Sequence, residues 1–128
     1  MNQHLTLTIT SLLSILLVTC HMADDIVRGF EPGGFKAVNG ILIVAVWLYA
    51  TLALAGRRSG YILMLLGALL GSVMPLAHMR GAGLVGGRIV GSSGIFFFVW
   101  TLVALGVTAS VSVVLLAREL WSLPWRKR

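Results

Sequence analysis

Four stretches of the chain, Leu5 to Met22, Ala37 to Ala55, Gly60 to Met79 and Ile95 to Ala117, contain no Asp, Glu, Lys or Arg. All fourteen charged residues fall in the gaps between them. The stretches are 18, 19, 20 and 23 residues long, and an α-helix rising about 1.5 Å per residue needs roughly 20 residues to cross a hydrocarbon core about 30 Å thick. Each stretch is therefore read as one crossing. They are rich in Leu, Val, Ile, Ala and Gly and lack the alternation of a membrane β-barrel, so helices are the expected spanning structure. The expected fold is an all-α integral membrane protein. Its four transmembrane helices form two antiparallel hairpins in a compact bundle, a single domain over residues 1–128 with a cationic tail at 118–128.

Composition agrees with this reading: 58% of residues are hydrophobic and only 11% charged, against about 25% charged in an ordinary soluble domain. Met1 to His4 carry no Lys or Arg, unlike the cationic start of a cleaved signal, so the first stretch counts as a span. The single cysteine, Cys20, excludes an internal disulfide and a cysteine-based metal cluster.

Orientation follows from the short flanks. With four spans the termini share a side, which carries Arg57, Arg58, Arg118, Arg126, Lys127 and Arg128; the other side carries Arg28, Lys36, Arg80 and Arg88. The excess places both termini in the cytoplasm, and the expected location is a bacterial inner membrane. Trp121, Trp125, Arg126, Lys127 and Arg128 read as a lipid-interface anchor, with indoles at headgroup depth and cations on anionic lipid. The bilayer is thus the first partner. A homo-oligomer or larger membrane complex is the second, and nothing in the basic tail reads as a nucleic-acid platform.

Gly56-Arg57-Arg58-Ser59 is short enough to force the second and third spans to be antiparallel neighbours, and Glu31-Pro32-Gly33-Gly34 is turn chemistry. Gly67 and Gly71 form a GxxxG on the third span, and Ala104, Thr108 and Ser112 a small-residue stripe on the fourth; such faces let helices approach closely in lipid. Pro75 should kink the third span near its outer end. Gly81, Gly83 and Gly86 spell GxGxxG, but they follow a membrane span instead of a strand and so lack the setting of a dinucleotide site.

Candidate chemistry sits at the ends of two spans. The first ends in His21, Met22, Ala23, Asp24, Asp25 and the third in Met74, Pro75, Leu76, Ala77, His78. His21 and His78 lie about 24 and 27 Å of helix from the inner side, and both ends are extracytoplasmic. A helix continued beyond Met22 sets His21 three and four residues from Asp24 and Asp25, and Asp24 four from Arg28.

Three readings compete. In the structural one, the aspartates pair with Arg28 or Arg80 and the histidines bond carbonyls. In the second, His21, Asp24, Asp25 and His78 ligate zinc, iron or manganese, with a weaker copper variant on Cys20, Met22, Met74 and Met79. In the third, the same groups form a proton relay or ligand rim. Arg28, Arg80 and Arg88 are candidates for ion pairs or anion contacts. The expectation is a non-catalytic accessory subunit or homo-oligomeric component with a polar outer rim. The rivals are a metal-dependent enzyme or redox protein using that rim, and a small transporter, which the absence of ionisable groups within the spans disfavours. In spheroplasts, a cysteine placed at Arg57 should resist an impermeant maleimide added from outside, and labelling there would invert the topology.

Overall fold

The computed structural model describes residues 2–29, 38–80 and 93–123, the side chains of 79 and 80 excepted. Arg88, Trp125, Arg126, Lys127, Arg128, the side chains of Met79 and Arg80, the GxGxxG run and the Glu31-Pro32-Gly33-Gly34 turn lie outside the described residues. Those that are described form four α-helices and no strand: α1 (Gln3–Val27), α2 (Val38–Ala53), α3 (Arg58–Arg80) and α4 (Ile95–Ser122). Helices α1, α3 and α4 are long and apolar enough to cross a membrane, which marks a membrane protein.

The helix ends follow local chemistry. Asn2 caps α1 by accepting the His4 amide on its side chain, leaving one fewer orphan donor at the N-terminus. At the other end α1 outruns its charge-free stretch and carries Asp24 and Asp25 inside the helix; Gly29 ends it in the left-handed region, φ 72°, where a residue without Cβ is at ease. Helix α2 stops at Ala53, two residues short of the expected limit. Leu54 and Ala55 go instead into the link to α3, where Leu54 accepts the Arg57 amide and Gly56 takes φ 77°. Helix α4 runs past Ala117 and takes Arg118 and Glu119 into its last turns. Pro75 stays within α3, which continues to Arg80.

Each helix runs antiparallel to the next. Trp47 of α2 meets Ser11 of α1 and Gly67 of α3, Pro75 of α3 meets Gly106 of α4, and Thr108 and Ser112 of α4 meet Ser14 and Thr10 of α1. Helices α1 and α3, which run parallel, touch at both ends: His4 with Tyr61 and His21 with His78. Leucines such as Leu16, Leu52 and Leu66 point outward, whereas Ser11, Ser14 and Ser112 are fully buried. Apolar outside and hydroxylic inside is the arrangement a hydrocarbon solvent favours.

The interior hydroxyls are paired among themselves. The Trp47 indole N–H donates to Ser11 Oγ at 2.9 Å, Ser11 Oγ lies 2.8 Å from Thr51 Oγ1, and Thr51 Oγ1 donates to the Trp47 carbonyl at 2.9 Å. Since Thr51 spends its proton on that carbonyl, Ser11 donates to Thr51 and the ring closes. Ser14 Oγ lies 2.9 Å from Thr108 Oγ1, and Ser112 Oγ 3.0 Å from Thr10 Oγ1.

Gly67 and Gly71 face Trp47 and α4. A Cβ at Gly67 would stand 2.5 Å from the Trp47 ring, and one at Gly71 3.1 Å from Ala109. The first glycine therefore admits the indole of α2, and the second seats against Ala109 and Leu105 of α4 and the far edge of the same indole. Gly67→Val should displace Trp47 and break its bond to Ser11, lowering stability by about 1–3 kcal/mol. Thermal unfolding in dodecylmaltoside micelles checks this, with the tryptophan emission shifting as the indole loses its partner.

Candidate metal centre

The extension of α1 beyond its apolar stretch creates the site. His21 and Asp25 lie four residues apart on its buried face, and the parallel run of α3 brings His78 beside them. His21 Nε2 is 3.2 Å from His78 Nε2. Asp25 Oδ2 is 3.6 Å from His21 Nε2 and 3.7 Å from His78 Nε2. Three potential ligand atoms thus mark a nearly equilateral triangle. A point equidistant from atoms at these separations is about 2.0 Å from each, the length of zinc bonds to imidazole nitrogen and carboxylate oxygen. Tetrahedral bonds of about 2.1 Å would set the donors about 3.4 Å apart, again close to the spacing found.

Burial makes the triangle more specific. His21 is 1% exposed and Asp25 7%, while the His78 side chain keeps 23%. The His78 Nδ1 lies 3.0 Å from the Met74 carbonyl, which accepts only a proton-bearing nitrogen. That bond places the proton on Nδ1, leaves Nε2 as a bare lone pair, and orients the ring as carbonyl partners do for metal-bound imidazoles. With His78 Nε2 an acceptor, His21 donates across the 3.2 Å contact from its own Nε2. Its Nδ1 is then a buried lone pair with no hydrogen-bond partner among the described residues. A metal at the triangle would displace the Nε2 proton, and the vacant Nδ1 is where that ring can carry it.

Phe98 of α4 packs against both imidazoles, with ring centroids 4.9 Å from His21 and 5.8 Å from His78. Asp24 is not part of the triangle. Successive helical residues turn by about 100°, so the neighbouring carboxylates diverge: Asp25 faces α3, whereas Asp24 accepts from Arg28 Nε at 2.7 Å. Arg28 also donates to the Ser93 carbonyl at 3.2 Å and stands 5.7 Å over the Phe98 ring. It ties the end of α1 to the start of α4 beside the site. Of the four candidate ligands, then, His21, Asp25 and His78 converge and Asp24 serves an ion pair with Arg28.

Of the copper variant's described members, Met22 and Met74 both line an apolar groove. Trp121 is 93% exposed on the last turn of α4, away from the histidines. Phe98, the Ser93 carbonyl and the hydroxyls that α1 and α2 bring to the interior, Ser11, Ser14 and Thr51, are not singled out by the sequence, whereas Thr108 and Ser112 of α4 are. One signal was present for the two on α1: Ser11, Ser14, Val18, His21 and Asp25 share one face of α1 at three- and four-residue steps.

Two nitrogens and one oxygen suit zinc, iron(II) or manganese(II). Three protein ligands leave at least one position for an exchangeable ligand, the pattern of catalytic zinc sites and of two-histidine, one-carboxylate iron sites. No protein-family model, curated protein or solved structure matches the chain.

Proposed function

We propose that the chain is a four-span integral membrane protein, one domain with both termini in the cytoplasm, that binds a divalent transition-metal ion through His21, Asp25 and His78 at its extracytoplasmic end. The observation that carries this is the donor triangle, whose sides match the ligand spacing of a first-row metal without any movement of the backbone. A structural ion pair would not need the second imidazole, whose Nε2 lies 3.2 Å from His21 Nε2 and 3.7 Å from Asp25 Oδ2.

On this reading the metal is a working centre. Zinc, iron or manganese bound by three side chains keeps an open position, where it polarises a bound oxygen or lowers the pKa of a bound water. The chain is therefore a metal-dependent membrane enzyme or redox component in preference to an inert accessory subunit. Helix α2, with 16 described residues, spans about 24 Å and crosses with the help of its flanks. A transporter fits less well, because the interior hydroxyls bond one another and the described interior holds no ionisable group between the His4 and His21 levels.

Metal content tests the site directly. Protein stripped with chelator and dialysed against zinc or cobalt(II) should retain one ion per chain by elemental analysis. His78→Ala and Asp25→Asn should each weaken binding by about 100-fold or more, since each removes a ligand. Asp24→Asn should keep the one-to-one stoichiometry, because it only releases Arg28. Affinity should also fall in acid, as protons compete for the imidazoles. Absence of metal from the intact protein, or equal losses at Asp24 and Asp25, would sink the assignment.

A further inference from the structure

Two apolar cavities of about 260 and about 150 Å³ lie along α2 and α3 and share Ile43, Trp47, Gly67 and Leu70 as walls, so they form one groove. The glycines at 40 and 67 let the Met22 side chain and the Trp47 ring lie directly on the backbones of α2 and α3, so these two side chains form walls of the groove. An apolar cavity of about 150 Å³ is large enough for a six-carbon ring, so the groove as a whole accommodates a hydrocarbon chain. Its lining side chains are apolar apart from the Trp47 indole, whose N–H is already bonded to Ser11.

The groove leads toward the donor triangle. At its outer end the walls are Val18 and Met22 of α1, Gly40 of α2, and Gly71 and Met74 of α3. His21 follows Val18 by three residues and His78 follows Met74 by four, which is one helical turn, about 5.4 Å, further out on the same faces. Met74 belongs to both places. Its side chain packs against the Trp47 core and against Phe98, and its carbonyl holds the His78 ring. On the α4 side the site is bounded by Phe98 and by Arg28 with its bond to Ser93, while His78 on α3 is the most exposed of the three ligands.

We propose that the groove between α2 and α3 holds the hydrocarbon chain of a membrane amphiphile whose oxygen-bearing head takes the open position on the metal. This rests on the metal reading above and names the class of molecule that the site acts on: a lipid, not a water-soluble solute. The arrangement divides recognition between an apolar slot without polar contacts and a metal one turn beyond it, so chain and head are each bound where the other is not.

The test uses cobalt(II)-loaded protein in dodecylmaltoside micelles and two probes with one metal-binding head, octanohydroxamate and acetohydroxamate, followed by the visible cobalt absorption. Octanohydroxamate should perturb the spectrum at concentrations at least about tenfold lower, since several methylenes are buried with it. Ile43→Trp and Leu70→Trp each fill the groove from positions that are about half exposed and so load no packed core. Both should bind one cobalt per chain and respond to acetohydroxamate as the unmodified protein does, yet lose most of the long-chain preference. If both variants keep the full preference, it reflects partition into micelles, and the groove assignment is overturned while the metal site stands. If the unmodified protein shows no cobalt spectrum, the metal reading itself fails and the proposal goes with it.

Discussion

Along the membrane-crossing length of these helices there is no water to satisfy a polar group, so each one has to find its partner within the chain. Helix α1 shows the effect most clearly. Its buried face carries Ser11, Ser14, His21 and Asp25, and each reaches a different neighbour: Ser11 meets α2, Ser14 meets α4, and His21 with Asp25 meets α3. Helix association in lipid gains little from burying apolar surface, because the alternative is equally apolar. Short polar contacts and close packing at small residues therefore set the positions of the helices, and α1 is the element through which the others are aligned.

Among the described residues, a histidine nitrogen at the donor triangle departs from this rule. Every hydroxyl on the inner face of α1 is paired, whereas His21 Nδ1, in a ring almost wholly buried, is not. Elsewhere such an atom would be an unexplained cost of about 1–3 kcal/mol. Beside two further donors at metal spacing it marks where the proton would go: a cation on Nε2 would move it to Nδ1, which meets no acceptor among the described residues. The neighbouring Asp24 is paired with Arg28, while Asp25 Oδ2 faces the two imidazoles.

Much of this arrangement could be read from residue order. The charge-free runs mark the helices, and equal helical depth brings His21 and His78 to one level. The choice between Asp24 and Asp25 could not be read that way, because three- and four-residue steps both suit a helix and only the direction of α3 decides. Phe98 was hidden for a different reason: it is one of three consecutive phenylalanines at the start of α4, and which of them turns inward depends on helix rotation. The GxxxG on α3 was visible, but the motif states only that space exists there, not that an indole from α2 takes the first of its two glycines. Helix α2 ends two residues before its charge-free run does, because Leu54 and Ala55 are apolar and an apolar pair serves a turn as readily as a helix end.

The two contacts between α1 and α3 have a mechanical meaning. His4 meets Tyr61, and His21 meets His78; both pairs are 57 residues apart. The helices are consequently in the same register at points 17 residues, about 25 Å, apart, like two rungs of a ladder fixed at equal heights. Sliding one helix past the other by a turn, a movement some switches employ, would break both rungs together. A tilt or rotation about the helix axes leaves that register intact. A centre built on these two helices thus has its donor atoms held level by a second contact about 25 Å away along the same pair.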